Sequence, residues 1–542
     1  MQSRLYATVA GCALLLWVSP GYAQQPSPPS GSPVTSERLL NASEEPENWL
    51  MYSGQYNSQR HSRLTAIDKS NVDQLEVKWV KQLETLADVE TTPLVVDGVM
   101  YLTQSPSNVI ALDAATGSQF WTYEHTLPEK LALCCGRQNR GVAILGETLF
   151  LGTLDAKLIA LDAKTGAVQW EAQSADPATG YSKTAAPLVI GDKVISGIAG
   201  GEYGIRGFLD AYDANTGELV WRFYTIPGEG EPHNDTWEDD SWKTGGAPTW
   251  ITGAYDPDLN LVYWGTGNPG PDWNGEAREG DNLYSDSVIA LDADTGELKW
   301  HFQFTPHDVH DWDATQIPIL IDIEFDGRPR KLMLFPNRNA FFYVLDRVTG
   351  EFLRGTPFAM QTWAERIDEN GRPIRIPGML PNEEGVLVYP SINGAANWWS
   401  NTYSPRTELL YVVTYDGAET FFIGEDEYVP GELFVGGGAD RYVPQETYAS
   451  MIRALDPRTG DTRWEFSLQP KTQSGLLSTA SDLVFGGSVD GYFYALDAVN
   501  GTELWRINVG GNVKAAPISY MVGTVQYVTV AAGNSILTFG LD

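Results

Sequence analysis

The chain has 542 residues and a net charge of −34, from 70 acidic against 36 basic side chains. That balance argues against nucleic acid or anionic lipid as a partner and fits a basic protein or a bound cation. A chain of this length can bury a large core, and it also accommodates an array of repeats.

Met1-Gln2-Ser3-Arg4 precedes an apolar stretch from Leu5 to Val18 and then "SPGYAQ". A short positive start, an apolar run and small residues before a break predict a secretory signal over 1–23, cleaved after Ala23. The run is too short to span a membrane comfortably, and no later stretch is apolar enough to do so. Cys12 leaves with the signal, so the mature chain keeps Cys134 and Cys135 in an oxidising compartment. A lead over 24–45, which carries "QPSPPSGSP", is expected to be disordered. The folded domain is expected over 46–542.

That domain is repetitive. "ALDAATGSQFW" ends at Trp121, "ALDAKTGAVQW" at Trp170, "AYDANTGELVW" at Trp221 and "ALDADTGELKW" at Trp300. "VLDRVTGEFLR" ends at Arg354 without its Trp, "ALDPRTGDTRW" ends at Trp464 and "ALDAVNGTELW" at Trp505. Most copies lie 41 to 54 residues apart, with longer gaps before Trp300 and Trp464. Such a period signals a propeller or solenoid. In each unit an apolar strand ends in Asp, whose side chain caps a turn. Gly supplies the positive φ of the turn, and the next strand carries a Trp wide enough to cover the seam between sheets. A Val/Ile/Leu-rich hairpin such as "APLVIGDKVISG" precedes each unit, so the unit reads as a four-stranded antiparallel blade. Seven copies are visible. The gap between Gly350 and Gly460 leaves room for an eighth built on "TELLYVVTY". The expected fold is all-β, an eight-bladed propeller closed by strands from both ends, with seven blades as the alternative.

These repeats resemble the tryptophan-docking motifs of the pyrroloquinoline quinone (PQQ) alcohol dehydrogenases, the family of periplasmic methanol and ethanol dehydrogenases. The likeness runs from about Trp49 to the C-terminus. Scaffold propellers of bacterial outer-membrane assembly carry similar repeats without a cofactor, so a cofactor-free envelope scaffold is the competing reading. The residues that line the channel discriminate the two.

In "CCGRQNRG" the resemblance implies a disulfide between Cys134 and Cys135, lying against one face of the quinone, and Arg140 reaching the cofactor. Adjacent α-carbons stand about 3.8 Å apart, closer than an unstrained disulfide prefers. Strain of that kind marks functional sites. Trp250, in "WKTGGAPTW", matches the Trp stacked on the opposite face. Glu90, Thr184 and Asn397 match polar contacts to the cofactor, as do Gly200 and Gly201 in "GIAGGEYGIRG". PQQ carries carboxylates, which gives Arg140 a charge reason to be there.

The same resemblance makes Glu202, Asn268, Asp311 and Asp313 the metal ligands, an oxygen set suited to a hard cation. A zinc site from His307 and His310 is disfavoured, because no Cys or further His accompanies the pair. The implied reaction is oxidation of an alcohol to an aldehyde or ketone by hydride transfer to the quinone, with the metal as Lewis acid. Asp311 is the implied general base, and Arg338, in "FPNRNAFFYVLDR", lies near the reacting carbonyls. Asp311-Trp312-Asp313 matches lanthanide-type members, which place a second Asp two residues after the first. A lanthanide ion is therefore favoured and calcium is the alternative.

No Cys-x-x-Cys-His occurs, so the sequence carries no covalent c-type haem. A soluble cytochrome c is the expected electron acceptor, steered by the acidic surface. Ala199, Gln473 and Gly136 depart from the family's common Ser, Trp and Asp, which suggests a rearranged pocket shaped by Asp272, Trp273 and the loop "GEDEYVPGELFVGGGADRY". The sequence fixes neither the alcohol nor the oligomeric state, a homodimer included.

Overall fold

The structure is a computed structural model that describes residues 28, 31–87, 89–440 and 448–542. The predicted signal over 1–23 lies outside the described residues. Among the described residues there are seven four-stranded sheets and one five-stranded sheet, with a two-stranded and a three-stranded sheet between them. Helix is confined to Ser36–Leu40 and short 3-10 turns.

The first repeat shows how the sequence makes a sheet. Leu94–Val96, Val99–Gln104, Asn108–Asp113 and Gln119–Tyr123 pair antiparallel in chain order. The last two strands are joined by the repeat's own turn. Asp113 Oδ1 accepts from the backbone N–H groups of Ala115 at 3.0 Å and Thr116 at 2.9 Å. Gly117 takes φ +71° and donates its N–H to Asp113 O at 2.8 Å. Asp162, Asp213 and Asp292 cap their turns in the same way.

Trp121, Trp170, Trp221, Trp300 and Trp464 each dock on the turn of the following sheet. Trp121 Nε1 donates to Ala163 O at 3.1 Å, and a Cβ at Gly166 would lie 2.7 Å from the Trp121 ring. Trp170 repeats this on Ala214 and Gly217, Trp221 on Ala293 and Gly296, and Trp464 on Ala498 and Gly501. The Gly of "TG" is therefore required twice, by the left-handed backbone and by the flat ring above it. At Arg354, where the Trp is missing, the Thr356 side chain covers Gly460.

The sheets close into a ring. Glu76–Gln82, near the start of the fold, pairs antiparallel with Ser535–Gly540 at its end. Trp505 meets Phe539 of that closing sheet edge-on at 5.5 Å. In the same sheet Trp79 docks on Gly117 and Ala114 of the first repeat. Trp79 escapes the sequence pattern because no Asp-x-x-Thr-Gly precedes it. This ring of sheets is a propeller, and the core lies between its faces: Leu158, Ile159, Ala160 and Leu161 are wholly buried.

Two expectations change. The strand Leu409–Asp416 of "TELLYVVTY" does not start an additional sheet. It pairs with Ala449–Leu455, in the sheet of the "ALDPRTGDTRW" repeat. The long gap instead holds the hairpin Ala364–Ile367 with Pro373–Arg375, and the sheet of Val386–Val388, Glu419–Ile423 and Gly437–Asp440. The eighth sheet comes from the two chain ends. The described stretch 31–45 of the lead is ordered where disorder was expected. Thr35 Oγ1 caps the helix Ser36–Leu40, Val34 bridges Gly146, and Val34 and Leu39 are buried. Two apolar side chains and Arg38, paired with Glu45 and Asp97, dock this stretch despite its polar composition. Among the described residues no helix is long and apolar enough to cross a membrane.

Candidate active site

Loops between strands of several sheets carry the predicted site residues. Between Gln119–Tyr123 and Ala143–Leu145, Cys134 and Cys135 form a disulfide, with Cys135 at φ +64°. Cys135 Sγ stands 3.9 Å from Glu202 Oε1. The two sulfurs and the Glu202 carboxylate gather within 4.8 Å of one another. Bonded sulfurs are not thiolates, so this grouping sets the disulfide beside Glu202 and makes no cysteine metal site.

Arg140 organises a second group. Its guanidinium carbon lies 5.2 Å from the Trp250 ring centroid and 4.8 Å from that of Trp398, and Nη2 lies 2.8 Å from Glu90 Oε2. The Arg140 N–H donates to Thr184 O at 3.1 Å, and Thr184 Oγ1 donates to Trp250 O at 3.0 Å. Glu90, Arg140, Thr184 and Trp250 thus form one connected unit. Trp398 was not singled out in the sequence; its place in "NWW", beside Asn397, was the available signal. The Asn397 amide serves its own loop, donating to Asn393 O at 3.0 Å and accepting from the Trp398 N–H at 2.8 Å. Gln473 Nε2 donates to Asn393 Oδ1 at 3.1 Å, which ties the two loops together.

Gly200 and Gly201 open the short turn Gly201–Tyr203 that carries Glu202. A Cβ on Gly200, at φ +122°, would lie 2.2 Å from Gly180 O. One on Gly201 would crowd Pro248 at 3.1 Å and Asn268 Oδ1 at 3.2 Å. The glycines therefore let the Glu202 turn approach the Asn268 loop.

The Asp-Trp-Asp motif divides between core and site. Trp312 is wholly buried, and its Nε1 donates to Ser391 O at 3.1 Å. Asp311, at φ +58°, and Asp313 both face Arg338. Arg338 Nη1 donates to Asp313 Oδ2, and Nη2 lies 3.7 Å from Asp311 Oδ2. Asp313 also accepts from Trp250 Nε1 at 3.2 Å and from the Asn268 N–H at 2.9 Å. Glu202, Asp311 and Asp313 do not all lie within 4.8 Å of one another. Glu202 leans on the disulfide while the aspartates stay on Arg338. They nonetheless sense each other's charge. Burial and the Asp313 charge push Glu202 up to about 7. Burial, opposed by Arg338, raises Asp313, and it raises Asp311 well above the usual carboxylate range.

Two further acids stand out. Asp272 and Asp286 are at most 1% exposed, and neither has a hydrogen-bond partner on either carboxylate oxygen. The sequence offered Asp272 only as a pocket wall and did not single out Asp286. Several oxygen donors, mutually repelling carboxylates and orphaned buried oxygens fit a hard cation. Arg140, with Nε unpartnered, beside two indole rings fits a flat polyanionic cofactor. The histidines do not converge on a metal. His310 stacks on Trp312 with ring centroids 4.2 Å apart, and His307 Nδ1 is 2.8 Å from Gly280 O.

Comparison with known proteins agrees with this chemistry. The family model described as glucose/ethanol/alcohol dehydrogenase, β-propeller domain (PQQ), matches residues 49–357. The model for outer membrane protein assembly factor BamB matches residues 449–540. The chain is 41% identical over 518 residues to quinohemoprotein alcohol dehydrogenase ADH IIB of Pseudomonas putida, covering 92% of this chain and 75% of that protein. It is 38% identical to quinoprotein alcohol dehydrogenase PedH of Pseudomonas putida, covering 92% of this chain and 88% of that one. Among solved structures, a europium-containing methanol dehydrogenase superposes with a TM-score of 0.88 at 32% identity, covering 93% of this chain and all of that one. Likeness of this depth over nearly the whole chain means that it belongs to the PQQ-dependent alcohol dehydrogenase family and is an enzyme of alcohol oxidation.

Proposed function

We propose that this enzyme is an exported, eight-bladed quinoprotein that uses a lanthanide ion with PQQ and passes electrons to a soluble cytochrome c. The eight large sheets are taken as its blades. The observation that carries the catalytic reading is the Arg338 guanidinium facing both Asp311 and Asp313, with Asp313 also bonded to Trp250. Bound PQQ and its ion would supply an electrophilic carbonyl that accepts hydride from the alcohol carbon. The chain supplies the rest. Asp311 Oδ2 takes the hydroxyl proton of the alcohol; burial favours its protonated form, and Arg338, 3.7 Å away, opposes that, as a bound cation would further. Trp250 and the disulfide would confine a planar ring, and Arg140, steadied by Glu90 and two indoles, would meet its carboxylates. Glu202, Asn268, Asp311 and Asp313 are the residues that would hold the ion.

The second acidic residue of the Asp-Trp-Asp motif supports a trivalent ion, as does the 32% likeness to a europium-containing enzyme. The signal-like N-terminus supports a periplasmic location, and the net charge of −34 supports a basic cytochrome partner. A cofactor-free scaffold has no use for the central cluster and is not favoured. The test is to reconstitute the full chain with PQQ and either a light lanthanide or calcium. The absorption spectrum and dye-linked oxidation of a panel of alcohols are then recorded. Higher activity with the lanthanide is expected, and activity with calcium alone would overturn the metal assignment. Reduction of a basic cytochrome c that slows as salt rises would support the acceptor.

A further inference from the structure

The turn that carries Glu202 has little to hold it. Its own backbone supplies two bonds, Tyr203 N–H to Gly200 O at 3.0 Å and Gly204 N–H to Gly201 O at 3.1 Å. Gly200, Gly201 and Gly204 surround the glutamate, and Gly204 leaves the turn at φ +60°. None of the three offers a side chain to brace it.

The brace comes from a distant loop. Gly424 N–H donates to Gly436 O at 2.9 Å, which closes the loop between the strands Glu419–Ile423 and Gly437–Asp440. Asp426 Oδ2 seals the base, accepting from Val435 N–H at 3.1 Å and from Gly436 N–H at 2.8 Å. Phe434 N–H donates to Glu202 O at 2.7 Å. Phe434 is buried although most of its loop is exposed. A Cβ on Gly204 would lie 3.1 Å from the Phe434 ring and 2.9 Å from that of Tyr428. Those two rings meet edge-on with centroids 5.6 Å apart, so together they cover the backbone that Gly204 leaves bare.

The same loop grips the segment that follows Asn268. Val435 O accepts from Trp273 N–H at 2.9 Å, and Gly424 O accepts from the Asn274 amide at 3.0 Å. A Cβ on Gly436 would lie 2.8 Å from Asn274 Cβ. Two successive residues, Phe434 and Val435, therefore tie the Glu202 turn to the Asn268–Asn274 segment.

We propose that the loop Gly424–Gly436 is a clasp that sets where Glu202 stands relative to Asn268, with Phe434 as its positioning residue and Asp426 as its lock. The proposal rests on the metal reading above and deepens it. Two ion ligands on separate segments are held in register by a third segment that carries no ligand itself. Metal sites depend on such outer groups, because a ligand that wanders binds weakly.

The test uses the full chain loaded with PQQ and stripped of metal. Two readouts are taken: hydrogen exchange of peptides covering 200–206 and 268–274, and affinity for terbium(III) by tryptophan-sensitised luminescence. Phe434→Ala removes the ring, Asp426→Ala opens the base, and Asp426→Asn keeps an oxygen that can accept both bonds. In the two alanine variants both peptides should exchange faster. Terbium affinity should fall roughly 10- to 100-fold in them, the usual cost of losing a group behind a metal ligand. Asp426→Asn should restore both readouts. Melting temperature should hardly move in any variant, because the loop lies outside the large sheets. Wild-type exchange over 200–206 in Phe434→Ala would overturn the clasp. Wild-type terbium affinity alongside faster exchange would overturn its service to the ion and leave the lanthanide reading intact. A wild type that binds no terbium would overturn the metal reading, and the proposal with it.

Discussion

Trp250 Nε1 donates to Asp313 Oδ2 across 3.2 Å. This bond joins the indole expected to cover the quinone to the second acid of Asp-Trp-Asp. On the proposed function this bond would link the cofactor and ion sites, and Asp313 is fixed from three sides by Trp250, Arg338 and the Asn268 N–H. Replacing it should disturb metal choice before it disturbs the fold. Asp313→Ala is expected to lose the preference for lanthanum or cerium over calcium, measured as the ratio of activities after reconstitution. An unchanged ratio would rule Asp313 out as a discriminating ligand.

Asp311→Asn cannot accept the hydroxyl proton. A drop in kcat of about 10²- to 10⁴-fold is expected, the usual worth of a general base. PQQ absorption and melting temperature should stay close to wild type, since Asp311 lies in the site and not between sheets. Near-normal turnover by a cofactor-loaded variant would remove Asp311 from the mechanism.

Cys134 and Cys135 should be inert to alkylation in denatured, non-reduced mature protein, as their bond requires. Intact mass after iodoacetamide should show no adduct, and two adducts in freshly isolated protein would contradict the bond. The Cys134→Ala/Cys135→Ala double variant should fold and bind PQQ more weakly, read from the spectrum on titration.

Gly166 takes φ +73° beneath the Trp121 ring. Gly166→Ala meets both a left-handed backbone cost of ~1–2 kcal/mol and a displaced indole, with overpacking worth ~1–3 kcal/mol. A clear fall in melting temperature is expected. A variant that melts with the wild type would refute the docking account.

His61 is buried, with Nδ1 2.9 Å from Ser478 Oγ. Burial, with Arg406 and Arg63 against Asp482, lowers its imidazole to about 4. An unfolded His titrates near ~6.5. Between those values the unfolded chain takes up a proton that the folded chain refuses, so stability falls as pH drops from the upper value to the lower. Below the lower value both states are charged and the loss stops growing. His61→Gln should remove up to ~3 kcal/mol of this acid-side loss, at 1.36 kcal/mol per unit. Denaturant midpoints measured across that window would show it, and an unaltered pH slope would refute it.

By itself the sequence determined the repeat, its Asp-capped turn and the docking Trp, because these are contacts within a short span or at a fixed period. Trp121 and Gly166 could be matched by eye since most units repeat the same need for a flat ring over a bare α-carbon. It also carried the acids and the cysteine pair as motif members. Tertiary structure decided what periodicity cannot encode. Trp79 docks although its strand lacks the motif, and the eighth sheet closes through pairing of residues more than 450 positions apart, Glu76 with Gly540. The "TELLYVVTY" strand found its sheet by side-by-side pairing and not by local pattern. The place of Trp398 against Arg140 and the unpartnered burial of Asp286 are likewise invisible along the chain. A side chain's partner, or its lack of one, is set by which loops the closed ring brings to its centre, and no spacing in the sequence records that.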